Sequence, residues 1–186
     1  MSGPEHDCAL AALLPADPHA DLARFALYWL SRRTDGPIPH YADIDPTDIP
    51  WALDAIYVIE RRDDGLFAFR LAGEAMSLRI GESLKGKTAY DLFDDEYAAW
   101  TQARWERCRA ERLACFVDTR HDSREGRPMS AQRLHLPVLD RHGAPDMQIG
   151  LNVFTGLSRR EQFGPDQPGE RVVRWTRVDD LPFARP

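Results

Sequence analysis

The stretch from residue 66 to residue 93 combines a strand pattern with short helical pieces, and it limits the choice of fold more than any other part of the chain. Apolar side chains alternate with alanine or arginine over residues 67–72, which is the period-two pattern of a β-strand. Good helix formers follow Gly73, and Gly81 and Gly86 then break the chain into short pieces. A strand that leads into short helices is suited to form one wall of a small-molecule pocket.

Four further apolar runs predict the other strands of a sheet. Polar turns that contain glycine separate these runs, and the first run is rich in β-branched residues. The longest predicted helix covers residues 94–112 and follows the second strand. The order predicts an α+β fold with five antiparallel strands, helices inserted between strands two and three, and one covered sheet. The four runs are residues 55–60, 115–120, 129–140 and 147–154.

An amphipathic helix is predicted before the sheet. Asp17 and Pro18 have the residue types that begin a helix, and Arg32 and Arg33 are suited to its last turn. Its apolar stripe is expected to pack on the domain or on a second copy of the chain. The stripe consists of Leu22, Phe25, Ala26, Trp29 and Leu30.

These patterns divide the chain into four parts. We expect a flexible N-terminus over residues 1–17, an N-terminal helical extension over residues 18–54 and a core over residues 55–154. A C-terminal extension follows over residues 155–186, and its residues 171–178 could add a strand to the sheet.

Length and charge limit the class of protein. A chain of 186 residues with 43% hydrophobic content is long enough for one domain with a core of its own. A net charge of −6 argues against binding to nucleic acid or to an anionic membrane surface. The three cysteines are an odd, sparse set, and no segment is long enough to span a bilayer, so we expect a soluble cytoplasmic protein.

Residues 81–88 match the phosphate-binding P-loop pattern, with Gly86 followed by Lys87 and Thr88. A P-loop follows a buried parallel strand and precedes a long helix, whereas here a short helix precedes the pattern. Nucleotide-dependent enzyme activity is therefore the least favoured alternative. No catalytic residue and no metal site is predicted, because no nucleophile–base arrangement, carboxylate pair or metal-ligand spacing is present.

Arg70 is the leading candidate for ligand binding, because it is a lone cation in an aromatic-flanked strand. A buried arginine needs a carboxylate, carbonyl groups or an anionic ligand. An internal pair with Glu74 or Asp91, or exposure on the outer face, is the more common explanation of such a residue. Further candidates for the pocket wall are Tyr57, Met76, Trp100, Arg133, His135 and Asn152.

Several segments together resemble the PAS superfamily. More narrowly, residues 22–154 are similar to a proteobacterial family of small stand-alone PAS proteins that was formerly classed as a domain of unknown function. His40 departs from that pattern, which has an arginine-like basic residue there. The segments that carry the resemblance are Tyr28-Trp29 with Arg32 and Arg33, Pro39, Asp43-Ile44-Asp45-Pro46, Ile49-Pro50, residues 69–73, residues 81–87, and residues 133–137 before Gly143.

The resemblance implies a five-stranded sensor that binds a small organic ligand, including an anionic one, between the sheet and the inserted helices. It also implies a homodimer formed through the N-terminal helix. The chain carries no kinase, cyclase or helix-turn-helix pattern, so the signal would pass to a separate regulatory protein. The alternative that we keep open is an interaction adaptor with a filled core and no ligand.

Neither haem nor flavin is expected as a cofactor. Cys108 lacks the surrounding asparagine and glutamine pattern of flavin-based light sensors. The long helix has no histidine between Glu96 and Arg112, where a haem-binding PAS domain places its axial ligand. We therefore expect Cys108 to be a small buried hydrophobic residue.

Overall fold

A six-stranded antiparallel sheet forms the middle of the computed structural model, which describes residues 4–122, 128–155 and 169–182. The strand order is β2-β1-β5-β4-β3-β6, so the first and fifth strands are neighbours and neither is at an edge of the sheet. The predicted α+β antiparallel fold is confirmed, with one strand more than expected. The strands are β1 Ile56–Arg61, β2 Phe67–Ala72, β3 Leu113–Asp122, β4 Pro128–Val138, β5 Met147–Thr155 and β6 Gly169–Arg177.

The described residues form four α-helices beside the sheet, and two of them lie between β2 and β3 as predicted. Glycines set the limits of the third helix: Gly73 caps its start, and Gly81 ends it in the left-handed conformation with φ of 92°. A Cβ atom on Gly73 would lie 2.3 Å from the carbonyl oxygens of Leu53 and Asp54, so this turn has room for glycine alone. The helices are α1 Pro4–Leu13, α2 Ala20–Ser31, α3 Glu74–Ile80 and α4 Asp95–Ala110.

Helices cover both faces of the sheet. Along β1, Ile56 and Val58 belong to a core beneath α1 and α2, while Tyr57 and Ile59 belong to a second core beneath α3 and α4. Side chains of a strand alternate between its faces, so all four residues are buried. The fold is therefore a three-layer arrangement of helices, sheet and helices.

The apolar stripe of α2 packs on the sheet of the same chain. Trp29 is fully buried over β4, and its Nε1–H donates a hydrogen bond to the carbonyl oxygen of Pro137 at 2.9 Å. The helix begins later than predicted, because His19 caps it by accepting a hydrogen bond at Nδ1 from the backbone N–H of Asp21. A homodimer through this helix would have to use its other, more polar faces.

The first helix also differs from expectation, because residues 4–13 form α1 where a flexible segment was predicted. Ala9 and Leu13 of α1 are buried in the core that α2 shares. On the sheet side, Thr176 of β6 donates a hydrogen bond from Oγ1 to the carbonyl oxygen of Ala12 at 2.7 Å. The sequence analysis expected residues 171–178 to add a strand, and β6 is that strand. It connects the C-terminal part of the described chain to α1.

Two glutamines fix α4 to the sheet. The side chain of Gln102 accepts a hydrogen bond from the backbone N–H of Phe67 at 2.9 Å and donates one to its carbonyl oxygen at 2.8 Å. The second glutamine, Gln148, lies on β5 and donates from Nε2 to the carbonyl oxygen of Trp105 in α4 at 2.7 Å. Both side chains are buried, so α4 is a fixed wall over the sheet.

Candidate ligand-binding site

A cavity of about 50 Å³ lies between the sheet and the helices α3 and α4, and we call it the chamber. Its floor comes from β1, β2, β4 and β5, and its roof comes from α3, α4 and the residues just before α4. Aromatic and apolar side chains predominate in the lining. The lining residues are Tyr57, Phe69, Met76, Ile80, Phe93, Tyr97, Thr101, Arg104, Trp105, Arg133, His135 and Asn152.

The floor of the chamber is organised around Gly150. Tyr57 on β1 and His135 on β4 are both register partners of Gly150 on the strand between them. The Tyr57 ring lies over Gly150, since a Cβ atom there would be 2.2 Å from Cζ of the ring. The Tyr57 hydroxyl thereby reaches across β5 and shares a hydrogen bond of 2.7 Å with Nδ1 of His135.

Burial keeps this tyrosine–histidine pair neutral. Removal from water, reinforced by the positive charges of Arg104 and Arg133, holds the pKa of His135 well below its ordinary value. Burial also raises the pKa of Tyr57 well above its ordinary value, although the same two arginines oppose that shift. The pair is therefore an uncharged hydrogen-bonding group in the floor of the chamber.

We expect the stability of the protein to fall as the pH drops below about 6.5, the ordinary pKa of histidine. His135 has a lowered pKa in the folded state, so below pH 6.5 the unfolded chain binds a proton that the folded chain does not. The slope should approach about 1.4 kcal/mol per pH unit. Urea unfolding of the wild type and of His135→Asn between pH 7.5 and 5 measures it. Parallel curves for the two proteins would contradict this origin of the slope.

Two arginines place positive charge at the chamber. Arg104 of α4 is only 5% exposed, and its guanidinium carbon lies 4.4 Å from the centre of the Trp100 ring. Arg133 of β4 is 9% exposed, and its Nη1 donates to the hydroxyl of Tyr97 at 3.4 Å. The described residues that line the chamber include no aspartate or glutamate. The lining thus carries positive charge with no carboxylate of its own to offset it.

Four lining residues have buried polar atoms that lack a hydrogen-bond partner in the described structure. Such atoms are uncommon in native proteins, since each costs free energy on burial. The side-chain amide of Asn152 makes a weak contact, in which Nδ2 donates to the thioether sulfur of Met76. The atoms without a partner are Nε and Nη1 of Arg104, Oγ1 of Thr101, Nε1 of Trp105 and Oδ1 of Asn152.

The chamber brings together five of the seven predicted site residues: Tyr57, Met76, Arg133, His135 and Asn152. Trp100 lies outside the lining and stacks on Tyr97, with ring centres 5.5 Å apart.

Arg70 also lies outside the chamber. It forms an ion pair with Glu60 at 2.7 Å, and not with Glu74 or Asp91, the partners considered from the sequence. Its side chain faces an open cleft at the β1–β2 hairpin. The hydrogen bond and the charge of Glu60 raise the pKa of Arg70. Because half of its side chain is exposed, Arg70 has no need of a ligand to balance its charge.

Sequence reasoning did not include Arg104 among the candidate site residues. The missed signal is helical spacing: Thr101, Arg104, Trp105 and Cys108 recur at intervals of three and four residues. All four side chains are buried on the inner face of α4. The aromatic residue on that face is therefore Trp105, whereas Ala103 is exposed.

The P-loop pattern does not form a phosphate cradle. The backbone N–H of Gly86 donates to the carbonyl oxygen of Phe69, and that of Lys87 donates to the carbonyl oxygen of Leu84. The backbone N–H of Thr88 donates to the carboxylate of Asp91, so all three groups have partners within the chain. The segment runs along the edge strand β2 of an antiparallel sheet, and the Thr88 hydroxyl donates to the same Asp91 carboxylate at 2.8 Å. Lys87 pairs with Glu82.

The cysteine Cys108 lies in a small buried cluster with Cys115 and Val117, beside and not within the chamber lining. Its hydrogen bond with Cys115, followed by burial, raises the pKa of Cys108 well above its ordinary value. Neither of these two cysteines forms a disulfide bond. Within the described ranges, no group of three or more potential metal ligands is present, and no helix has the length and hydropathy needed to cross a membrane.

Several solved structures are similar in fold. VqmA bound to DPO is 16% identical, with 60% of this chain aligned and a TM-score of 0.48. The alignment covers 57% of the VqmA chain, which is less than two thirds of its length. The Rhodobacter sphaeroides LOV protein is 17% identical over 62% of this chain and 70% of its own, with a TM-score of 0.42. A PAS domain from Colwellia psychrerythraea is 13% identical over 57% of this chain and 93% of its own, also with a TM-score of 0.42.

A comparison with curated proteins finds no match. The family model described as PAS domain matches residues 18–153, which include α2, the first four strands, most of β5 and both helices over the chamber. This range agrees with the residues 22–154 that carry the resemblance in the sequence. On this match over most of its length, the chain belongs to the PAS domain family.

Proposed function

We propose that this PAS domain is a non-catalytic sensor that binds a small organic molecule in the chamber. The observation that supports the proposal is the set of buried, unpartnered polar atoms on Thr101, Arg104, Trp105 and Asn152 around one cavity. A bound molecule would supply hydrogen bonds to these atoms and would offset the free-energy cost of their burial. The sequence expectations of a cytoplasmic location and of no haem or flavin remain part of this proposal.

The signal would travel through α3. This helix has only seven residues between Gly73 and Gly81, and its inner side chains Met76 and Ile80 line the chamber. A ligand that binds one position of α3 better than another shifts the population toward that position. On the outer side of α3, Leu78 is 43% exposed, so a shift of the helix would change an apolar contact surface for a separate regulatory protein.

A ligand-free interaction adaptor is the second candidate. It is favoured by the size of the chamber, because about 50 Å³ is well below the roughly 300–1,000 Å³ of sites for drug-sized ligands. In this function the side chains fill the core, and the outer surfaces bind a partner protein without a small molecule that regulates the binding. The two functions differ in whether any small molecule enters the chamber.

Methyl NMR of methionine-labelled protein separates the two functions. Met76 lines the chamber, whereas Met147 is buried in the core on the opposite face of the sheet and serves as an internal control. For a sensor, some members of a mixed library of neutral, cationic and anionic metabolites should shift the Met76 methyl signal and leave that of Met147 in place. If no compound moves Met76 selectively, the adaptor function stands and the sensor function fails.

A further inference from the structure

We infer that the molecule bound in the chamber is a short-chain organic carboxylate whose charge is held by Arg104. This inference rests on the proposed sensor function and narrows its ligand to one chemical class. It also replaces Arg70, the anion-binding candidate of the sequence, by an arginine on the inner face of α4.

The first argument is charge. Arg104 is 95% removed from solvent, and its Nε and Nη1 atoms have no hydrogen-bond partner. The guanidinium carbon lies 4.4 Å from the centre of the Trp100 ring. The face of the ring attracts the cation, but it supplies no oxygen that could accept hydrogen bonds from the N–H groups of Arg104. A buried guanidinium requires anionic or carbonyl oxygens around its edge. A carboxylate in the chamber supplies such oxygens.

The surroundings of Arg104 reinforce this preference for an anion. Arg133 brings a second positive charge from β4, and the chamber lining within the described residues has no acidic side chain. His135 and Tyr57, which face the same space from β4 and β1, are uncharged because they are buried. A neutral or cationic ligand would leave the unpartnered guanidinium atoms of Arg104 without an anion, whereas a monoanion supplies one.

The second argument is the size and polarity of the space. A volume of about 50 Å³ holds roughly three to five water-sized groups, at about 10–15 Å³ for each. Part of the lining is apolar and comes from Phe69, Met76, Ile80 and Phe93. These walls suit a short alkyl group, while the oxygens of phosphate or sulfate would face them without partners. Acetate and propionate have the required size, charge and apolar end.

The test is a titration of the methionine-labelled wild type with acetate and propionate, compared with the neutral isosteres acetamide and propionamide. We expect the carboxylates to shift the Met76 methyl signal with dissociation constants above about 10 µM, since so few atoms bind. The amides should bind at least tenfold more weakly. This comparison needs no mutant, so it remains decisive if an Arg104 variant does not fold.

Arg104→Met is the matched variant, because methionine keeps the length and removes the charge. It should lose carboxylate binding at least tenfold, while Arg107→Met, at an exposed arginine of the same helix, should bind as the wild type does. A melting temperature unchanged or raised in Arg104→Met would fit removal of an unpaired buried charge. A clear loss of melting temperature would show that Arg104 is satisfied without a ligand and would overturn the inference.

The outcomes separate this inference from the proposed function. Equal binding of carboxylates and amides, or unchanged binding in Arg104→Met, overturns the role of Arg104 and leaves the sensor in place. Selective binding of inorganic phosphate instead of the carboxylates also overturns it. If neither these probes nor the metabolite library moves Met76, the proposed function itself fails.

Discussion

Replacing Trp29 by alanine should lower the free energy of unfolding by about 3–5 kcal/mol, as for other large aromatic residues removed from a core. Trp29 is 0% exposed, and it joins α2 to β4 through packing and through its hydrogen bond to Pro137. The substitution leaves a cavity and an unpaired carbonyl oxygen between the N-terminal helices and the sheet. Urea denaturation followed by circular dichroism measures the change.

Trp51→Ala is the control for Trp29→Ala. Trp51 is partly exposed and contacts Arg24 on the outside of the same core, so its loss should cost clearly less. Light scattering should give the same oligomeric state for the wild type and for Trp29→Ala. If Trp29→Ala instead dissociates a dimer and keeps the stability of the single chain, the stripe of α2 faces a second copy.

This case shows where sequence reasoning about α2 stops. The spacing of Leu22, Phe25, Trp29 and Leu30 identified a helix with one buried face, and the structure confirms that face. The same spacing leaves open whether the stripe packs on the chain's own sheet or on another copy, because both remove it from water. The sheet order that brings β4 and β5 beneath α2 is a long-range property that no local pattern contains.

The strand β1 did carry a signal for the second covered face. Residues 56–59 are apolar without interruption, which is typical of a strand buried on both sides. A sheet with one covered face would show polar residues at every second position. The run therefore predicts helices on both faces, and α1 and α2 supply the layer opposite α3 and α4.

The chamber was predictable in its strands and less so in its helices. Tyr57, Arg133, His135 and Asn152 are polar or aromatic residues on the predicted strands, and alternation puts them on the face toward α3 and α4. Arg104 was missed because an arginine-rich helix is usually interpreted as a solvated surface. Its burial depends on the fixed position of α4, which buried side-chain hydrogen bonds to the sheet determine.

Replacing Gly150 by alanine should lower the free energy of unfolding by about 2–4 kcal/mol. The new Cβ atom would lie 2.2 Å from Cζ and 2.3 Å from the hydroxyl oxygen of Tyr57, so the ring has to move. Overpacking of a core costs about 1–3 kcal/mol. Loss of the hydrogen bond to His135 adds about 1 kcal/mol or more, since both groups are buried.

A double-mutant cycle with Tyr57→Leu tests this origin of the effect, because the smaller side chain leaves room for the Cβ atom. In the Tyr57→Leu background, Gly150→Ala should cost at least 1 kcal/mol less than in the wild type, as expected for residues in direct contact. Gly36→Ala is the control, since a Cβ atom on Gly36 meets nothing within 4 Å and should change stability by less than about 0.5 kcal/mol. Equal costs of Gly150→Ala in both backgrounds would mean that the Tyr57 ring does not lie over β5, and the floor of the chamber would then need a different arrangement.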